Sequence, residues 1–220
     1  MSNNLEKMNQ FFDVRADSYD EHMNKSIGSF ETYYVKVADP IKNTDETIEI
    51  LDLGCGTGLE LRSIFEKAPN ARITCIDMSE KMLELLKSKY SDKLNQINII
   101  QGSYTELDLG QQKYDYVISV MTMHHLLHND KEQLYKKIKE AIKPNGTYIE
   151  GDYVVTKEKE ENLVNFLEEV AQKHGLPKDG SYHIDIPFSL ETQRKLFSKA
   201  GFAKFEVVFK EGEHTIIVSK

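Results

Sequence analysis

From Ile48 onward, short runs of aliphatic and β-branched residues alternate with longer segments in which apolar positions recur every three or four residues. The runs are IEILDL (48–53), ARITCI (71–76), INIIQ (97–101), YDYVISV (114–120) and GTYIEGDYVV (146–155). The periodic segments between them include Leu59–Lys67, Ser79–Tyr90 and Lys131–Ile142. Short continuous apolar runs predict buried strands, and the three-to-four spacing predicts amphipathic helices. Their alternation predicts right-handed βαβ units: an α/β fold in three layers, with helices on both faces of a mostly parallel sheet.

After Val155 come a helical pattern over Lys157–His174, an irregular stretch GLPKDGSYHIDIP (175–187) and a second helical pattern over Leu190–Ala200. Two further runs, FAKFEVVF (202–209) and HTIIVSK (214–220), flank EGE (211–213). A three-residue loop containing Gly212 predicts a hairpin, which brings the sheet to seven strands with one antiparallel strand near the C-terminus. Ser79 predicts an N-cap without the full capping box, because Met82 stands where Glu or Gln would complete it. Asn129 and Asp130 predict the cap of the helix that follows, and Lys143-Pro144-Asn145-Gly146 predicts its end and a tight turn into the next strand. Before the first strand, FFDVRADSYDEHM and FETYYVKVADPI are aromatic-rich helical patterns. The expected division is therefore a helical cap or lid over residues 1–47 and one compact unit over 48–220.

Composition narrows the function. With 28 Lys plus Arg against 36 Asp plus Glu, the formal charge of −8 disfavours a binder of the phosphate backbone, so a nucleic-acid partner is not expected. No run approaches the roughly 18–20 apolar residues of a membrane span, and the polar start MSNNLEKMNQ lacks the apolar core of a signal peptide. The expected location is cytoplasmic, with no membrane partner. The two cysteines, Cys55 and Cys75, form no C-x-x-C pair and are expected to be reduced packing residues.

The stretch ILDLGCGTGL (50–59) holds the first chemical signal. Gly54, Gly56 and Gly58 follow the first strand, where a turn of unusual φ and close backbone approach to a ligand both favour glycine. The helix that follows would aim its N-terminal N–H groups at that ligand. The spacing is G-x-G-x-G rather than the dinucleotide G-x-G-x-x-G, and no Lys or Arg occurs between Ile50 and Leu61. Both facts count against a phosphate chain. Asp77 ends the second strand, where a carboxylate can accept both hydroxyls of a ribose; the plainer reading is an acid that complements a helix dipole.

The ordered set ILDLGCGTG, CIDMSEKML, QGSYTEL, YDYVISVMTMHHL and IKPNGTYI resembles the class I S-adenosylmethionine-dependent methyltransferases, from about Ile48 to Val155 and on into the terminal strand pair. The resemblance implies a Rossmann-like sandwich that binds S-adenosylmethionine, yields S-adenosylhomocysteine and needs no metal. It also implies that Asp52, Gly54 and Gly56 hold the methionine portion, Asp77 the ribose and Met78, with Met82 nearby, an adenine face. Many relatives end the third strand in an acidic residue; here Gly102-Ser103-Tyr104 stands in that region, and Ser103 could substitute a hydroxyl. Val120 and Met121 would approach the methionine chain, and Tyr19 resembles a tyrosine that closes over the cofactor. Arg15, Tyr33 and Tyr34 could line the same lid.

Methyl transfer from a sulfonium is an in-line displacement that depends mainly on positioning. A general base is needed only where the acceptor loses a proton. Candidates for that role are His124, His125 and Tyr19, with Asp152, Tyr153 and His183 as acceptor contacts. His124 and His128, four residues apart, could share a helix face as metal ligands, but no H-E-x-x-H pattern or spaced cysteine accompanies them. The acidic charge, the aromatic cap and the lack of an added nucleic-acid domain point to a small-molecule acceptor. Alternatives are methylation of RNA or protein, a cofactor-binding module without catalysis, and a nicotinamide-dependent oxidoreductase. Oligomeric state is not legible.

Overall fold

The computed structural model describes residues 6–27, 30–174 and 182–220. Two helices, α1 (Met8–Ser26) and α2 (Phe30–Ala38), precede a seven-stranded sheet. The parallel half is built from β1 (Glu49–Leu53), α3 (Leu61–Lys67), β2 (Arg72–Asp77), α4 (Glu80–Lys89), β3 (Ile97–Gln101), β4 (Tyr114–Val120), α5 (His128–Ala141) and β5 (Ile142–Tyr153). Helices α6 (Lys157–His174) and α7 (Leu190–Lys199) lead into β6 (Phe205–Glu211) and β7 (His214–Ser219). Strand order is β3-β2-β1-β4-β5-β7-β6, and β7 runs antiparallel to both neighbours.

Parallel strands are buried on both faces, so successive residues feed different cores. Ile50, Ile73, Cys75, Ile118 and Ile216 join the core beneath α2, α3 and α4. Leu51, Ile76, Val117, Tyr148 and Ile217 join the core beneath α5, α6 and α7. The free thiols of Cys55 and Cys75 are both buried. Chain order reverses between β1 and β4, and the crevice at their carboxyl ends is where open α/β sheets bind ligands. Among the described residues, no helix is long and apolar enough to cross a membrane.

Three local expectations change. Helix α5 begins at His128 with Leu127 at the N-cap, so Asn129 and Asp130 lie inside the first turn, and Asp130 complements the helix dipole instead of capping. Pro144 and Asn145 lie within the span of β5: Ile142 pairs with Tyr114 and Thr147 with Tyr116, so the intervening residues bulge from a strand that starts directly at the helix end. The final hairpin closes with two residues, Gly212-Glu213, because Glu211 and His214 already pair; Gly212 takes the left-handed conformation (φ 59°) that such a turn requires. Of the irregular stretch after α6, residues 175–181 lie outside the described residues.

Helix α2 packs against β5 because Gly151 leaves room for it. A Cβ at Gly151 would lie 2.7 Å from the Tyr33 hydroxyl and 3.2 Å from Val37 Cγ2. Gly151→Ala is therefore expected to lower stability by about 1–3 kcal/mol through overpacking, read as a reduced urea midpoint at unchanged m-value.

Candidate functional site

The glycine turn after β1 sits over the carboxyl end of β2. Gly54 and Gly56 have φ of 68° and 49°, in the region that excludes most side chains. A Cβ at Gly54 would lie 2.4 Å from Thr122 Oγ1, so a side chain there would collide with the segment after β4. The Gly54 N–H donates to Ile76 O (2.8 Å), and the Gly56 N–H donates to Asp77 Oδ2 (2.9 Å). Asp77 Oδ1 accepts from the Ser79 N–H (2.8 Å), which fixes both carboxylate oxygens at the cavity edge. Burial raises the Asp77 pKa, opposed by the backbone N–H groups of Ser79, Gly56 and Met78. Ser79 caps α4 by accepting from the Met82 N–H, as its sequence position implied.

Asp52 lies beneath this turn, fully buried, and neither of its oxygens has a hydrogen-bond partner. Glu60, buried at the start of α3, likewise leaves Oε1 unpartnered. Burial and the neighbouring Glu60 carboxyl push Asp52 well above the ordinary carboxylate range, and burial also raises Glu60. Three buried carboxyl oxygens are thus left without a partner beside the glycine turn.

A cavity of about 450 Å³ opens above the turn. Its walls include Gly54, Gly56, Asp77, Met78 and Met82, with Ser103 and Tyr104 after β3 and Met121 after β4. The Ser103 hydroxyl is bonded to Thr105 Oγ1 (2.6 Å), and the Tyr104 hydroxyl to Thr122 Oγ1 (2.8 Å). Met121 holds φ at 53°, unusual for its type. The Val120 side chain belongs to the core and is not a cavity wall. Helix α1 lies against α4 and the glycine turn: Ser79 Oγ donates to Asp13 Oδ1 (2.6 Å), and Lys89 Nζ donates to Asp20 Oδ2 (2.6 Å). Its Tyr19 lines the cavity, and burial raises that phenol's pKa.

A second cavity of about 390 Å³ lies between α1 and the segment after β4. Phe12, Tyr19, Met121 and His125 are walls of both cavities. Arg15, His124, Tyr153, His183 and Asp185 are further walls of the second. Arg15 is half-buried, its guanidinium 3.7 Å over the Phe11 ring and donating to Glu6 Oε2 (2.8 Å). Asp152 is not a wall but a support: it accepts from the His124 backbone N–H (2.9 Å) and bonds His124 Nδ1 (2.5 Å). Burial works against charge on His124, but Asp152 outweighs it and the pKa is raised. Burial and the neighbouring His124 hold His125 down to about 4. Asp185 is held to about 2, because its bond to His125 and the charge of the imidazoles overcome its partial burial.

His128 is exposed, with its ring 6.1 Å from that of Phe188, whereas His124 lies in the single 3-10 turn Met123–His125. The expected His124–His128 helix face does not form. Tyr33 and Tyr34 are core residues rather than lid; the Tyr33 hydroxyl donates to Met121 Sδ (3.9 Å). Sequence reasoning passed over Glu60 and Asp185. An acid early in α3 looks like ordinary dipole complementation, and Asp185 sits in a stretch with no periodicity.

The methyltransferase domain family matches residues 50–146 of the chain. The carboxy-S-adenosyl-L-methionine synthase of Nautilia profundicola is 26% identical over 94% of this chain and 92% of its own length. A malonyl-[acyl-carrier protein] O-methyltransferase of Ilyobacter polytropus is 31% identical, and its match spans 64% of this chain and only about half (51%) of that protein. The structure of human N-acetylserotonin methyltransferase in complex with S-adenosylmethionine superposes with a TM-score of 0.67 at 16% identity, over 94% of this chain and 56% of that one. Across residues 50–146 the chain is similar to the methyltransferase domain family, and its similarity to S-adenosylmethionine-dependent relatives extends beyond that segment.

Proposed function

We propose that the chain moves the methyl group of S-adenosylmethionine onto a small molecule that enters the second cavity. The observation that carries this reading is the junction of the two cavities at Phe12, Tyr19, Met121 and His125, where a donor over the glycine turn and an acceptor beyond it share walls. The residues of the first cavity fit the donor. Asp77, its oxygens already fixed by Gly56 and Ser79, takes the ribose hydroxyls. Asp52, buried behind the glycine turn and, like Glu60 beside it, not a cavity wall, takes the methionine ammonium and so satisfies oxygens that otherwise have no partner. Gly54 and Gly56 admit the ligand to the backbone. Met78, Met82, Ser103 and Tyr104 wall the adenine, while Tyr19, Met121 and the Val120 backbone close on the methionine chain.

When bound, S-adenosylmethionine supplies an electrophilic methyl on a positively charged sulfur. The chain's own residues hold and align the two partners, which is the largest contribution a displacement of this kind needs. Tyr19 keeps its proton near neutral pH and acts as a wall rather than a base. His124 and His125 face the acceptor side.

A cavity of about 390 Å³ roofed by a helix lies within the range of small-molecule sites, about 300–1,000 Å³, and the charge of −8 opposes a polynucleotide acceptor. Incubating the protein with methyl-labelled cofactor and fractionated cell extract is expected to label the small-molecule fraction. Label confined to RNA or protein would overturn the small-acceptor reading. The near-full-length similarity to a carboxy-S-adenosyl-L-methionine synthase, with Arg15 in the second cavity as a cation suited to a carboxylate, favours one alternative: modification of the cofactor's own methyl. Mass spectrometry of the spent cofactor separates the two readings, because transfer leaves the demethylated product and the alternative leaves a carboxylated one.

A further inference from the structure

We propose that His124, His125 and Asp185 form a binding site for a divalent first-row transition metal ion that opens into the second cavity. The three residues offer one nitrogen, one nitrogen and one carboxylate oxygen, all within 4.8 Å of one another. Asp185 Oδ1 lies 3.2 Å from His125 Nδ1 and 3.6 Å from His124 Nε2, and His183 Nε2 is a further 3.6 Å neighbour of the same oxygen. Imidazole nitrogens from two separate segments thus converge on one carboxylate.

The placement is fixed from outside the cluster. His124 and His125 stand on the 3-10 turn that ends β4, and the Ile186 N–H donates to His124 O (2.7 Å), which brings Asp185 alongside them. Asp152 binds His124 Nδ1 at 2.5 Å and leaves Nε2 directed at Asp185. A carboxylate behind a histidine in this way orients metal-ligating rings and raises their basicity. His125 is 7% exposed, and its Nδ1, 3.2 Å from Asp185 Oδ1, is directed at the cluster.

Two nitrogens and one oxygen suit Zn²⁺, Fe²⁺, Co²⁺ or Mn²⁺, and the absence of a thiolate from the set disfavours soft ions such as Cu⁺. Three protein ligands leave positions open, as in catalytic rather than structural sites. An oxygen acceptor on the ion would be oriented and made more acidic beside the donor. That use rests on the methyl-transfer reading; binding of the ion does not.

The test is titration of untagged, chelator-dialysed protein with Co²⁺. The expected result is a saturable visible absorption band at one equivalent, displaced by Zn²⁺. Asp185→Ala, a change at a half-exposed side chain, and His125→Ala are each expected to weaken Co²⁺ binding by more than about tenfold, since even outer residues of metal sites cost about 10- to 100-fold. No saturable Co²⁺ band together with no calorimetric Zn²⁺ binding would overturn the proposal, and so would wild-type affinity in both variants. The titration needs no S-adenosylmethionine, so failure of the transfer reading leaves its outcome unaffected.

Discussion

Lys131→Met is expected to destabilise the protein by about 3–5 kcal/mol, the usual cost of leaving one member of a buried ion pair without its partner. Lys131 is 1% exposed, and its ammonium lies 3.3 Å from Oε1 of Glu150, which is fully buried on β5. Glu150 also accepts from the Tyr135 hydroxyl (2.6 Å), the Tyr148 hydroxyl (2.8 Å) and the Gln193 amide (3.0 Å). One carboxylate thus joins α5, α7 and the sheet. Methionine fills the lysine's volume but removes the only cation paired with Glu150 among the described residues. At about 2–4 °C per kcal/mol for a chain of this size, Tm should fall by roughly 6–20 °C in scanning calorimetry. Adding Glu150→Gln should recover part of the loss, because the stranded charge is then gone. A single variant within about 1 kcal/mol of the parent would show that the hydrogen bonds alone hold this junction.

Asp77→Ala is expected to weaken S-adenosylmethionine binding by roughly 10- to 100-fold, from the loss of about 1.5–3 kcal/mol of hydrogen bonding to a charged group. Beyond its proposed ribose role, the carboxylate receives the Gly56 and Ser79 N–H groups that shape the turn. Asp77→Asn separates the two roles: the amide keeps one acceptor for the turn but places donors where hydroxyl protons must go. Titration calorimetry with the cofactor and with S-adenosylhomocysteine should therefore show weakened binding in both variants. Unchanged affinity in Asp77→Ala would refute the ribose role.

Much of this architecture was legible because both periodicities are strong. Five apolar runs and the helices between them correspond to β1–β5 and α3–α5, and the motif order carried the resemblance to the methyltransferases. Boundaries set by tertiary pairing were not legible. Pro144 and Asn145 have turn chemistry, yet pairing of Ile142 with Tyr114 begins the strand before them and carries them in a bulge. The candidate site divides in the same way. Gly54, Gly56 and Asp77 belong to contiguous motifs and come together at the cavity. The Asp185 contact with His125 depends on a segment sixty residues downstream in a stretch with no regular pattern, and no local signal encodes such a meeting. Tyr33 and Tyr34 were ambiguous because aromatics at helical spacing serve core and lid alike; the space at Gly151 seats Tyr33 in the core, and Tyr34 is buried there beside it.

Helix α1 supplies Phe12 and Tyr19 to both cavities and is held to α4 through Asp13 and Asp20. The two ligands therefore need not touch to influence each other. A first ligand that rigidifies the shared helix would leave less of that entropy for the second to pay. Donor and acceptor should accordingly bind cooperatively. By reciprocity, the demethylated cofactor left in place should tighten the hold on the acceptor product by the same factor.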